Sequence, residues 1–122
     1  MVINLLYRLS NNYDVIWITS PVFCTGTYFD ETEITKLQLI LDNQRFIICD
    51  ESLSILGYSL RKKLSNSKFL ITIHSPHKVI STNSIKFSCI LCNNDYKDFF
   101  DQWIDLFCGG LPLSPYIAAT HF

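Results

Sequence analysis

The chain has 122 residues, a net charge of −1 and no cluster of basic residues, which argues against nucleic acid as a partner. Apolar residues make up 48% and charged residues 17%, a globular composition, and no apolar run approaches the roughly 18 residues that a membrane helix needs. The mean hydropathy of +0.20 fits either an ordinary apolar-rich domain or one whose surface is covered by more chain or another subunit.

The N-terminus, Met1 to Arg8, lacks the charged start and long apolar stretch of a signal peptide and reads as a short amphipathic helix. Residues 14–19 form a continuous β-prone apolar run, expected as a buried strand. Ser20-Pro21 ends it, and Thr25-Gly26-Thr27 lies in the loop that follows. Asp30 with Glu33 three residues later marks a helix start, and both acids suit the positive end of the helix dipole. Ile34, Leu37, Ile40 and Leu41 recur at helical spacing, predicting a helix that runs to about Asn43.

Arg45 to Cys49 is a second strand, closed abruptly by Asp50-Glu51. Residues 52–64 are helical or irregular, and Ser65-Asn66-Ser67 is a turn. Lys68 to Ile73 is a third strand, followed by a polar loop from His74 to Lys78. Ile85 to Leu91 is a fourth strand. Asn94 to Cys108 is a helix with Phe99, Trp103, Ile104 and Phe107 on one face, expected to pack on the sheet, and Gly109-Gly110 stops it. Pro115 starts a last helix. Alternation of strands and helices with short loops predicts an α/β fold, part of a mostly parallel sheet flanked by helices, in one domain over residues 1–122.

Five cysteines, an odd number in strand-like settings, argue for reduced thiols and a cytoplasmic protein. Cys89 and Cys92 match a CxxC spacing but fall in a strand rather than at a helix N-terminus, so they are expected as buried structural residues. A zinc site lacks a second pair of ligands.

Three polar spots fall just past the ends of three successive strands: Ser20 to Thr27, Asp50, and Ser75 to Lys78. In open α/β sheets, ligands bind outside the carboxyl ends of the strands, so these groups are expected on one rim. An acid and a lysine on such a rim suit pyridoxal 5'-phosphate. The amine bonds to the aldehyde, and the acid keeps the pyridine nitrogen protonated. A receiver domain would use Asp50 as a phosphoacceptor, but it needs further acids after its first strand, where this chain reads Thr19-Ser20-Pro21.

In order, Ser20-Pro21-Val22-Phe23-Cys24-Thr25-Gly26-Thr27, Asp50-Glu51-Ser52-Leu53 and Ser75-Pro76-His77-Lys78 resemble the motifs of class I/II aminotransferases, nearest to the histidinol-phosphate aminotransferase branch. The resemblance runs from about Tyr13 to the end and implies the C-terminal portion of an aminotransferase-like large domain, with pyridoxal phosphate as cofactor. It makes Lys78 the Schiff-base lysine and Asp50 the pyridinium partner. It places Ser75 on the cofactor phosphate, and Lys86 where the family has a phosphate-binding arginine. A lysine there keeps the charge but not the two-pronged geometry. Phe23 stands where the family has an asparagine on the ring hydroxyl, and Leu53 where it has a tyrosine. His74 and His77 flank Ser75 as candidate acid–base groups or as exposed loop residues.

The resemblance further implies an amino acid or amino-phosphate substrate and a dimer or a longer parent chain. The family's upstream phosphate-binding helix start, its ring-stacking aromatic and its small domain have no counterpart here, which points to a fragment inactive by itself. Decarboxylation on the same scaffold, and a degenerate non-catalytic interaction module, are the other functions it leaves open.

Overall fold

The computed structural model describes residues 2–54, 58–64, 67–79 and 86–108. Helix α1 (Val2–Leu9) leads through a short 3-10 turn (Ser10–Asn12) into strand β1 (Val15–Thr19). Helix α2 (Glu31–Asp42) and strand β2 (Phe46–Asp50) follow. A single helical turn, α3 (Leu60–Lys63), precedes β3 (Leu70–His74), and a second, α4 (Pro76–Val79), comes directly after it. Strand β4 (Cys89–Leu91), a 3-10 turn (Asn94–Tyr96) and helix α5 (Lys97–Cys108) complete the described elements.

Helix α2 begins where its sequence says it should. Asp30 accepts a hydrogen bond from the Glu33 amide at 2.8 Å, and Glu33 accepts one from the Asp30 amide at 3.2 Å. This reciprocal cap satisfies two amides that have no partner inside the helix and contributes about 1 kcal/mol. Ile34, Leu37, Ile40 and Leu41 are all buried, and Asn43 caps the far end. Ile3 of α1 joins them, and Lys36 donates to Asn4 between the two helices.

The four strands lie in the order β1-β2-β3-β4, the first three parallel and the last antiparallel. Ile16 sits opposite Ile47, which sits opposite Leu70; two residues on, Ile18, Cys49 and Thr72 form the next row. These rows are buried with the α2 stripe, so one sheet face carries the core. Side chains alternate along a strand, so the other face receives Val15, Trp17, Ile48 and Ile71. Trp17 is 58% exposed there. The expected buried strand β1 is therefore only half covered: Ile16 and Ile18 are buried, while Val15 and Trp17 stay exposed on the other face.

Other expectations are corrected too. The polar segment after β3 is not a loop, because Pro76 starts a helical turn in which the Lys78 amide donates to the Ser75 carbonyl at 2.9 Å. Proline suits that first position, where its missing N–H would have no partner. Strand β4 starts at Cys89, later than the apolar run implies; Lys86 to Ser88 approach it without regular structure. Cys89 is exposed and Cys92 half-buried, so neither is the buried cysteine expected; with Cys24 and Cys49 they are free thiols. The aromatic face of α5 does not pack on the sheet: Phe99, Trp103 and Phe107 are more than half exposed. Ser65 and Asn66, Ile85, the Gly109-Gly110 stop and the last helix from Pro115 lie outside the described residues.

Candidate functional site

Because β1, β2 and β3 are parallel neighbours, their carboxyl ends meet on one rim. The chain leaving β1 is fastened to β2 at once. The Ser20 amide donates to the Asp50 carbonyl at 2.9 Å, and a cis bond to Pro21 turns the chain. The loop then closes on itself. Val22 donates to the Thr27 carbonyl at 2.8 Å, Gly26 donates back to Val22 at 3.0 Å, and the Thr25 and Thr27 hydroxyls meet at 2.8 Å. Gly26 has φ +69 with open space around it, so the backbone conformation, not crowding, calls for glycine. The Phe23 amide donates to the Thr19 hydroxyl at 2.9 Å, which carries the phenyl ring over the rim.

Strand β2 ends in Asp50, half-buried, whose Oδ1 accepts the Ser52 amide at 2.9 Å. A carboxylate bonding the amide two residues ahead is a common turn closure, so Ser52 was a contact the sequence could have yielded. Beyond β3, Ser75 is buried, and its hydroxyl lies 2.9 Å from that of Ser52 and 2.7 Å from that of Ser88. Lys78 is exposed on the turn that follows.

Asp50 and Lys78 line one cleft of about 350 Å³, together with Ser20, Phe23, Ser52 and Leu53. The structure thus brings together three of the predicted site residues, Asp50, Lys78 and Phe23. Ser75 stands behind the wall with its hydroxyl engaged, and Lys86 is exposed and does not line the cleft. Apolar Phe23 and Leu53 line the same cleft and are both largely exposed. A larger cavity of about 510 Å³, lined by Ile3, Leu6, Trp17 and Phe29, shares Thr19, Val22 and Phe23 with the cleft. No lysine lines it, whereas Lys78 and Asp50 both line the smaller cleft.

The two histidines are not an exposed pair. His77 Nδ1 is pinned against the backbone of Phe87, and His74 Nε2 approaches Glu51 Oε2 to 3.2 Å without hydrogen-bond alignment. Glu51 is itself 2% exposed and accepts from the Leu60 amide and, at 3.1 Å, from the Ser59 hydroxyl. Sequence reasoning missed this buried acid, because its partners lie in a segment without clear periodicity. Among the described residues no group of three or more His, Cys, Asp and Glu could hold a metal ion.

Cys49 lies beneath the rim. Burial, and then the carboxylates of Glu51 and Asp50, push its thiol far above the ordinary thiol range. The folded protein should therefore resist alkylation at Cys49 at pH 8 while exposed Cys24 reacts, and peptide mapping before and after urea unfolding checks it. The unfolded thiol ionises first, so this residue's contribution to stability should decline as pH climbs past about 8.5.

The sequence matches no family model and no curated protein. The fold does have counterparts. Cystalysin from Treponema denticola, which contains a pyridoxal 5'-phosphate cofactor, superposes with a TM-score of 0.70 at 23% identity, over 90% of this chain and 30% of that one. The pyridoxal-phosphate-bound C–S lyase from Staphylococcus hominis gives 0.67 at 20% identity, over 82% and 28%. Histidinol-phosphate aminotransferase from Clostridium acetobutylicum gives 0.64 at 18% identity, over 75% and 29%. This chain therefore has the fold of part of the large domain of pyridoxal-phosphate-dependent fold type I enzymes. It spans under a third of the length of each of these three chains.

Proposed function

We propose that this chain is the cofactor-binding rim of a pyridoxal-phosphate-dependent aminotransferase, which moves an amino group between an amino acid or amino-phosphate compound and a 2-oxo acid. One observation carries the reading: an acid at the end of β2 and a lysine on the turn after β3 line the same cleft. The donor set fits the cofactor, because the cleft offers one primary amine, one acceptor-only carboxylate and apolar flanks, at a size within the usual range for small-ligand pockets. When bound, pyridoxal phosphate supplies an aldehyde for an amine and a ring that draws electrons from a substrate's α-carbon.

The residues divide that work. Lys78 would hold the aldehyde through Nζ, and its amine, when free, would carry a substrate's α-proton. Asp50 would accept a hydrogen bond from the ring nitrogen and keep the proton there. Phe23 and Leu53 add apolar surface to the mouth of the cleft, where a planar ring can rest against them. Ser75 and Lys86 are the phosphate-side candidates, Ser75 when Ser52 and Ser88 both donate to it and leave its own proton free. The substrate's carboxylate is met by parts of a longer chain or by a second copy, and the reduced thiols accord with a cytoplasmic setting. No helix among the described residues is long and apolar enough to cross a membrane.

Borohydride reduction in the presence of pyridoxal phosphate, followed by peptide mass mapping, tests the proposal on this chain and on the longest natural chain containing it. A pyridoxyl group confined to Lys78 and absent from Lys78→Ala is expected. Labels scattered over exposed lysines in both chains would sink it. The aromatic face of α5, with Phe99, Trp103 and Phe107 exposed, then favours the second reading, a scaffold that keeps the fold for protein contacts.

A further inference from the structure

We propose that Ser52 is a positioning residue of this site: through Ser75 it fastens the loop after Asp50 to the helical turn that carries Lys78. The proposal rests on the cofactor reading above for what is being positioned, and on the hydrogen bonds alone for how.

Asp50 and Lys78 sit on different strands' ends, and among the described residues no ion pair joins them. A continuous path does. Asp50 Oδ1 accepts the Ser52 amide at 2.9 Å, and Ser52 Oγ meets Ser75 Oγ at 2.9 Å. The Ser75 carbonyl in turn accepts the Lys78 amide at 2.9 Å. Ser52 thus holds the carboxylate with its backbone and the lysine's turn with its side chain. Both serines are nearly closed to solvent, at 5% and 4% exposure, so water does not replace a lost partner cheaply.

The turn is also held from its other side. Ser88 Oγ lies 2.7 Å from Ser75 Oγ, and His77 Nδ1 rests on the Phe87 backbone. A hydroxyl has one proton and two lone pairs. Ser75 can therefore accept from both neighbours and keep its own proton for a ligand, or pass it along the row. In either arrangement the three hydroxyls make one unit, and helix α4 is a single turn too short to be stable by itself.

The test uses the full chain with Ser52→Ala, with Ser88→Ala as a second variant at an exposed position. Hydrogen exchange at the Lys78 amide reads the turn without any cofactor. It should speed up about five- to tenfold in Ser52→Ala and about twofold in Ser88→Ala, while the amides of Leu37 and Ile40 keep their protection. The pyridoxal phosphate concentration for half-labelling at Lys78 should rise about fivefold in Ser52→Ala. Unchanged exchange at Lys78 in both variants overturns the proposal, whatever the labelling does. Faster exchange at Lys78 in a chain that never takes the label there supports the clamp and removes the cofactor reading instead. If Ser52→Ala loses protection across the core as well, Ser88→Ala decides: a Lys78 amide no faster than in the unsubstituted chain overturns the clamp.

Discussion

Replacing Asp50 with asparagine is expected to weaken the hold on pyridoxal phosphate by about 10- to 150-fold, the range for losing one hydrogen bond to a charged group. The substitution is chosen for what it leaves alone. An asparagine side chain keeps an oxygen for the Ser52 amide, which now bonds the Asp50 Oδ1 at 2.9 Å, so the turn survives and only the charge goes. Equilibrium dialysis against pyridoxal phosphate measures the change, with thermal unfolding as the control for the fold. Equal affinity in the two proteins would mean that Asp50 is a turn residue and no more.

The second large effect is expected away from the cleft. Glu51→Ala should lower the free energy of unfolding by about 3 kcal/mol, seen as a urea midpoint lower by roughly 2 M. The carboxylate is shut off from solvent and is the shared acceptor for the Leu60 amide and the Ser59 hydroxyl, with His74 Nε2 beside it. Truncation leaves the buried Leu60 amide without its acceptor and frees the half-buried Ser59 hydroxyl, and it uncaps α3, which has only four residues. Glu51→Gln retains one acceptor oxygen and should cost about 1 kcal/mol. Because Glu51 follows Asp50 directly, the two variants separate the functions of a neighbouring pair: Asp50→Asn should change binding at constant stability, and Glu51→Gln stability at nearly constant binding. A Glu51→Ala protein as stable as the original would show that the carboxylate is not enclosed as described.

Much of the architecture is written into short stretches of sequence. The reciprocal cap of Asp30 and Glu33, the stripe Ile34, Leu37, Ile40 and Leu41, and the stop at Asn43 are local features, and the helix forms where they place it. The β-branched runs behave likewise, since three strands lie within a residue or two of their apolar segments. Even the shared rim follows from order alone: polar groups at the ends of consecutive parallel strands have nowhere else to go, and Asp50 and Lys78 line one cleft.

What the sequence could not decide involves groups far apart along the chain. The row of hydroxyls from Ser52 through Ser75 to Ser88 depends on the register of β2, β3 and β4, and no local pattern announces it. The enclosure of Glu51 depends on a turn nine residues later folding back over it. The antiparallel pairing of β4 depends on where the chain re-enters the sheet. An apolar run reads the same whether one face or two will be covered. That is why Trp17 of β1 and the aromatic side of α5 looked buried in the sequence and stand open in the structure. Local propensity and periodicity set the elements, because their energies come from neighbours a few residues apart. Burial, hydroxyl pairing and strand direction were settled only by tertiary contact, because their energies come from residues that the sequence keeps far apart.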